Sequence, residues 1–178
     1  MGALESYIRI VEKFNRAFGM AISVMTFGTA IVCFSTVFLR YALNTSYTWL
    51  TEAYIWQHLL VIMLGAGYTF LVGGFVRVDV FYARMTPKGK ALVDLIGTFV
   101  FLGPFLYFAA KYSWVFVAQS WALLERSPQA DGLPGLYLLK TAMLVCYALV
   151  GLQGLALAAR SALVLGGRPQ FAPVSGGH

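Results

Sequence analysis

Long apolar runs separated by short polar segments dominate the pattern of this chain. Four runs, at about residues 17–39, 51–76, 91–118 and 136–159, each exceed the roughly 20 residues that a helix needs to cross about 30 Å of hydrocarbon. They lack the strict alternation of barrel strands, and a lone span must satisfy its backbone hydrogen bonds internally. The pattern therefore predicts an all-α integral membrane protein with four transmembrane helices.

The segment before the first run is amphipathic. Apolar residues recur at helical spacing on one face of residues 4–16, and charged residues occupy the other. This pattern predicts an N-terminal helix that lies in the membrane interface. The alternative is a solvated helix that packs on the protein's own core.

The chain reads as one unit followed by a tail. Residues 1–165 are expected to form a single four-helix transmembrane domain, and the first run is too long for the apolar core of a cleaved signal peptide. Residues 166–178 are rich in Gly and Pro, which predicts a flexible cytoplasmic tail.

Positive charge is distributed unevenly between the two sides of the predicted spans. Nine Lys and Arg residues lie before the first span, between the second and third, or after the fourth, whereas only Arg40 and Arg126 lie in the other two loops. Because cytoplasmic loops carry the excess of Lys and Arg, both termini are expected to face the cytoplasm.

Composition agrees with a membrane location. Only 11% of the residues are charged, against about a quarter in soluble domains. The formal net charge of +6 follows from the basic residues at helix ends and does not call for a nucleic-acid partner. The two cysteines, Cys33 and Cys146, lie in apolar runs without a CxxC pattern, so thiol chemistry has no support.

Candidate chemical groups are few and do not converge. The ionisable residues in or beside the spans are Glu52, His58, Asp94, Lys111 and Lys140. Their depths favour structural pairing of Glu52 or Glu125 with Lys111 or Lys140, and a local ion pair for Asp94. The sequence predicts no catalytic residues, no metal site and no cofactor, since a haem would need a second histidine in the spans.

Two further patterns concern helix packing. Gly65, Thr69 and Gly73 repeat every four residues, which predicts a ridge that another helix can approach closely. Gly103-Pro104, midway along the third span, predicts a kink.

Aromatic and charged residues gather at the outer ends of the second and third spans. Aromatic rings prefer the headgroup level, and charges beside them suit transient docking of a partner. The residues expected at such a docking surface are Trp49, Glu52, Trp121, Glu125, Arg126 and Asp131. A simple headgroup belt with solvated loop charges is the alternative.

Three local patterns stand out beside the spans. The first runs from Arg40-Tyr41 through Asn44 and Trp49 to Glu52, which Ala53 follows. The second is residues 74–79, GFVRVD. The third comprises Glu125, Ser127, residues 131–134 (DGLP), Lys140 and residues 152–154 (LQG). Together these patterns resemble the small membrane (Q) subunit of TRAP (tripartite ATP-independent periplasmic) transporters, with Ala53 in place of the family's second acid and Phe75 in place of a histidine.

The resemblance implies a role and a set of partners. A large multi-span subunit would carry the substrate and sodium sites, and a periplasmic substrate-binding protein would capture the substrate, usually an organic acid. The small subunit would hold the large one in the bacterial inner membrane, among its lipids, and help the binding protein to dock. Arg77 and Asp79 would fix the inner end of the second span, and the chain would not be an enzyme.

An orphan membrane scaffold, or an assembly subunit of another complex, is the alternative function. The sequence discriminates against a small multidrug exchanger, because residues 17–39 contain no charged residue.

Overall fold

The computed structural model describes residues 2–75, 82 and 84–171. The long helices are α1 (Ala3–Ala42), α2 (Thr48–Leu71), α3 (Pro87–Ile96), α4 (Gly103–Ala122) and α5 (Leu136–Leu165). A π-helical segment, Gly97–Leu102, joins α3 to α4, and a short 3-10 turn, Pro169–Phe171, follows α5. Every regular element in these ranges is helical, and four continuous helices are long and apolar enough to cross a membrane.

The last helix, α5, occupies the centre of the bundle. It packs against α1 and α2 on one side and against α3, the π-helical segment and α4 on the other. Small residues on α5 permit this, since most of its buried positions are Ala, Gly or Ser. The hairpins α1–α2 and α4–α5 turn at one end of the bundle, called here the hairpin end. The start of α1 and the end of α5 lie at the other, called here the termini end.

The first helix differs from the expectation of a separate interfacial segment. Residues 3–42 form one uninterrupted helix, about 60 Å long, which is roughly twice the hydrocarbon thickness. Near its start, Ile8 and Val11 are buried within the protein, as in the alternative of a helix that packs on its own core. Location in the membrane interface stays a prediction.

The expected ridge on α2 is not continuous. The helix ends at Leu71, and Gly73 follows with φ +72. Gly74 N–H donates to Thr69 O over 2.8 Å and Gly73 N–H to Phe70 O over 3.1 Å, which is the Schellman pattern of a helix C-terminus. Gly73 therefore ends the helix, because glycine adopts this left-handed conformation without strain.

The other two ridge residues, Gly65 and Thr69, lie within α2. Among the described residues, a Cβ at Gly65 would meet nothing within 4 Å, and Thr69 Oγ1 donates to Gly65 O in its own helix. Close packing of another helix on this part of the ridge stays a prediction.

The π-helical segment coincides with the expected kink. Pro104 has no N–H to donate, and its ring would clash with the preceding turn of a regular α-helix. Widening of that turn over Gly97–Leu102 accommodates the proline, and π-bulges are among the known causes of helix kinks.

Some expectations lie outside the described residues. These are the roles of Arg77 and Asp79, the last residue of the second predicted span, and most of the tail over residues 166–178. Several helix ends lie beyond the ends of the predicted spans. The first helix ends at Ala42, the second starts at Thr48, the third span extends over 87–122, and the last helix continues to Leu165.

Candidate functional site

The loop between α4 and α5 is fixed to α2 by one carboxylate. Glu52 Oε1 accepts a hydrogen bond from the Ser127 hydroxyl, and Glu52 Oε2 accepts one from Leu133 N–H over 2.7 Å. Ser127 N–H also donates to Leu133 O, which closes the loop on itself. Since Glu52 engages both sides of the loop, residues 125–135 are held as a defined surface, called here the platform.

Glycine at position 132 is required by the closeness of this arrangement. A Cβ there would lie 2.6 Å from Ser127 Oγ and 2.9 Å from Glu52 Oε2. Any side chain would push the loop away from the carboxylate.

A second carboxylate fixes the start of the platform. Glu125 Oε2 accepts from Ser120 Oγ over 2.5 Å and pairs with Lys140 Nζ of α5. These hydrogen bonds to Lys140 and Ser120, with the lysine's charge, lower the pKa of the Glu125 carboxyl despite some desolvation. A lowered folded-state pKa means that the stabilisation is present at neutral pH and is lost only as the pH falls through that lowered value.

Aromatic residues beside this cluster have a structural role. Trp121 Nε1 donates to Thr141 Oγ1 over 2.9 Å, and its ring lies 4.6 Å from that of Tyr137. Lys140 Nζ also lies 3.9 Å from the centre of the Phe116 ring. These contacts join the ends of α4 and α5, so both ends of the platform are anchored.

An open cavity of about 760 Å³ lies beside the platform. One wall is the α1–α2 connection and the start of α2, with Trp49, and the other is the platform, with Arg126, Asp131 and Pro134. Arg126 and Asp131 are exposed, and Trp49 is about half exposed. The cavity thus presents two aromatic rings, Tyr47 and Trp49, and both signs of charge to solvent, which suits reversible contact with a polar partner.

The six residues expected at a docking surface therefore separate into two groups. Trp49, Arg126 and Asp131 line the cavity. Glu52, Glu125 and Trp121 instead hold the loop and the helix ends through side-chain hydrogen bonds. Sequence spacing could not reveal this division, because one partner of Glu52 is a backbone N–H.

Of the expected pairings, the structure contains the one between Glu125 and Lys140. Lys111 is exposed on α4, with its Nζ 6.0 Å from the Tyr107 ring centre. Asp94 accepts a hydrogen bond from the Tyr82 hydroxyl over 2.8 Å, and Lys90 lies over the Tyr82 ring. His58 is exposed on α2.

Sequence reasoning missed a ladder of polar pairs that joins α1 to α5 and to the turn that follows α5. Its members, from the termini end inward, are Glu5–Arg168, Glu12–Arg160 and Asn15–Gln153. Asn15 and Gln153 are buried, and Asn15 Nδ2 donates to Gln153 Oε1 over 2.8 Å. The signal was available, since Glu5 and Glu12 are seven residues apart on one helix face and Arg160 and Arg168 lie at the same end of the bundle.

Metal binding has no support in the described part of the chain. There, no three His, Cys, Asp or Glu side chains converge into a group that could hold an ion. The hydrogen bonds at the hairpin end hold the loop in place, and the exposed groups at the cavity are suited to binding a partner.

Comparison with known families gives one match. Residues 29–163 match the family model described as "Tripartite ATP-independent periplasmic transporters, DctQ component". No curated protein and no solved structure matches the chain.

Proposed function

The chain belongs to the DctQ component family of the tripartite ATP-independent periplasmic transporters, and from this we propose that it is the small permease subunit of a sodium-coupled transporter for organic acids. It is a membrane protein, and DctQ is a transporter component rather than an enzyme family. In this proposal it resides in the bacterial inner membrane, holds the large transport subunit in the bilayer, and helps the periplasmic substrate-binding protein to dock.

The anchored platform beside the open cavity carries the docking part of the proposal. Glu52 and Glu125 hold the loop at two points, so little conformational entropy would be lost when a partner binds. The exposed groups at the cavity, including Arg126 and Asp131, supply charge that speeds encounter and orients the partner.

Reversal of one platform charge tests docking. In proteoliposomes that contain this chain and its large subunit, Arg126→Glu should lower binding-protein-dependent uptake about tenfold at low salt and less at high salt. The reason is that electrostatic steering is screened over about 10 Å at 0.1 M ionic strength. Uptake of labelled substrate is measured at both salt concentrations, with co-purification of the large subunit as the assembly control.

Two further variants sharpen this experiment. Arg40→Glu reverses an exposed charge at the hairpin end outside the cavity and should leave uptake unchanged. Glu52→Ala releases the platform, so its loss of uptake should be the same at both salt concentrations. If Arg126→Glu assembles and supports full uptake, the cavity is not the docking surface.

The orientation in this proposal places both termini in the cytoplasm and the platform in the periplasm. It rests on the distribution of Lys and Arg. In a background without Cys33 and Cys146, a cysteine at Gln129 should react with an impermeant maleimide in intact cells, and one at Gly89 should react only after lysis. The opposite labelling pattern would reverse the orientation.

A further inference from the structure

An apolar groove runs along α5 near the termini end. Its volume is about 410 Å³. The walls are Leu4 and Tyr7 of α1 on one side and Phe99 of the π-helical segment on the other, and alanines of α5, among them Ala159 and Ala162, form the floor. The groove is open because α1 and the third span pack on opposite sides of α5, whose small side chains do not fill the space between them.

The groove continues into a second cavity that contains charged groups. This cavity, of about 300 Å³, is lined by the first residues of α1, among them Glu5, by the end of α5, and by Arg168, which follows α5. Leu4 and Ala162 line both cavities, so the two are contiguous. The apolar groove therefore ends beside the Glu5–Arg168 ion pair, next to the positive end of the α1 dipole.

Arg168 retains capacity to bind an anion. Its Nη1 pairs with Glu5, but a guanidinium has five N–H donors, and the side chain is 53% exposed. Arginine also binds phosphate through two parallel hydrogen bonds. The neighbouring Glu5 carboxylate would compete with a phosphate for the Arg168 guanidinium. Mutation of Glu5 removes this competing contact.

We propose that an anionic phospholipid occupies this pair of cavities, with an acyl chain in the groove over Ala162 and its phosphate at Arg168. The match is one of charge, since a lipid joins an apolar chain to an anionic head, and the apolar groove ends at the Arg168 guanidinium. Basic pockets between transmembrane helices bind anionic headgroups in this manner. The lipid comes from the leaflet at the termini end, which is cytoplasmic if the proposed orientation holds.

The test is titration of the full-length chain in mild detergent with phosphatidylglycerol or with zwitterionic phosphatidylethanolamine, with bound lipid counted by native mass spectrometry. The wild-type chain should prefer phosphatidylglycerol. Arg168→Gln should weaken phosphatidylglycerol binding about tenfold, the size expected for loss of a charged hydrogen bond, and abolish the preference. Glu5→Gln should strengthen phosphatidylglycerol binding, because the competing carboxylate is gone.

Filling the groove tests the acyl-chain part. Ala162→Trp occupies the junction from an exposed position and should weaken binding of both lipids about tenfold. Leu4→Trp is the second filling variant should the first fail to fold. The matched controls are Ala118→Trp, at an exposed alanine of α4, and Arg40→Gln, at the far end of α1; both should bind as wild type.

Three results would overturn the proposal. The first is equal binding of the two lipids by the wild-type chain, and the second is unchanged lipid binding by a folded groove-filling variant. The third is loss of the lipid from the assembled complex together with cross-linking of a cysteine at position 162 to the large subunit. The lipid titration needs neither the large subunit nor the binding protein. A negative result in it is therefore distinct from failure of the proposed transport function, which co-purification and uptake would reveal.

Discussion

Gly19→Ala is expected to lower the apparent melting temperature of the purified chain by about 5–10 °C. A Cβ at position 19 of α1 would overlap the Cβ and Cγ of Tyr68 and lie 2.9 Å from Tyr68 Cδ2. Because the overlap is with the root of the side chain, a rotamer change cannot relieve it, and α1 must move away from α2. Overpacking of this kind costs about 1–3 kcal/mol.

The matched control is Gly65→Ala in α2. A Cβ at Gly65 would meet nothing within 4 Å, and alanine is the better helix former, so the melting temperature of the isolated chain should be unchanged or slightly raised. Both variants are measured by thermal unfolding in the same detergent. Equal melting temperatures would show that α1 and α2 do not approach each other at Gly19 as the structure has them.

The same two variants separate contacts within the chain from contacts with a partner. Gly19→Ala should destabilise the chain alone, whereas a bulky Gly65→Leu should leave the isolated chain stable. If the ridge residue Gly65 contacts the large subunit, Gly65→Leu lowers the yield of the complex without changing the melting temperature of the chain.

The four spans could be predicted from hydropathy because the bilayer sets their length, but the contacts between them could not. The four-residue spacing predicted close helix packing at Gly65 and Gly73. In the structure, close packing occurs instead at Gly19 and Gly67, where a Cβ would clash with a neighbouring helix. Spacing shows that small residues share a helix face, and only the packing shows which face meets a neighbour. Gly73 does not extend the ridge, because α2 ends at Leu71, before it.

The polar residues show a similar limit. Glu125–Lys140 was among the expected pairs, since both residues are charged and lie at one depth. The role of Glu52 was not predictable in this way, because it accepts from a hydroxyl and a backbone N–H. The last helix continues to Leu165, beyond the predicted end at 159, and Arg160 at this point is paired with Glu12 of α1.

The Glu12–Arg160 pair should contribute the largest single ionic coupling between the first and last helices. Arg160 Nε and Nη2 donate to the two carboxylate oxygens of Glu12 over 2.5 and 2.6 Å, and the exposed fractions of the two side chains are 24% and 19%. The coupling energy of a bidentate pair with this burial should lie between two limits. Exposed pairs contribute up to about 1 kcal/mol, and disruption of a buried pair costs about 3–5 kcal/mol. We therefore expect a coupling energy of about 2 kcal/mol.

A double-mutant cycle measures this coupling directly. Glu12→Gln, Arg160→Gln and the double variant are unfolded at equilibrium in mixed micelles, and the same cycle on Glu5 and Arg168 is the internal control. Because Arg168 is about half exposed, solvent screens that pair and its coupling should stay below about 1 kcal/mol. The exchange of charges, Glu12→Arg with Arg160→Glu, should recover part of the stability that either single reversal loses. If the coupling energy of Glu12–Arg160 is no larger than that of Glu5–Arg168, the inner pair is as hydrated as the outer one. The register of α1 on α5 is then set by the buried hydrogen bond between Asn15 and Gln153 and not by the ion pair.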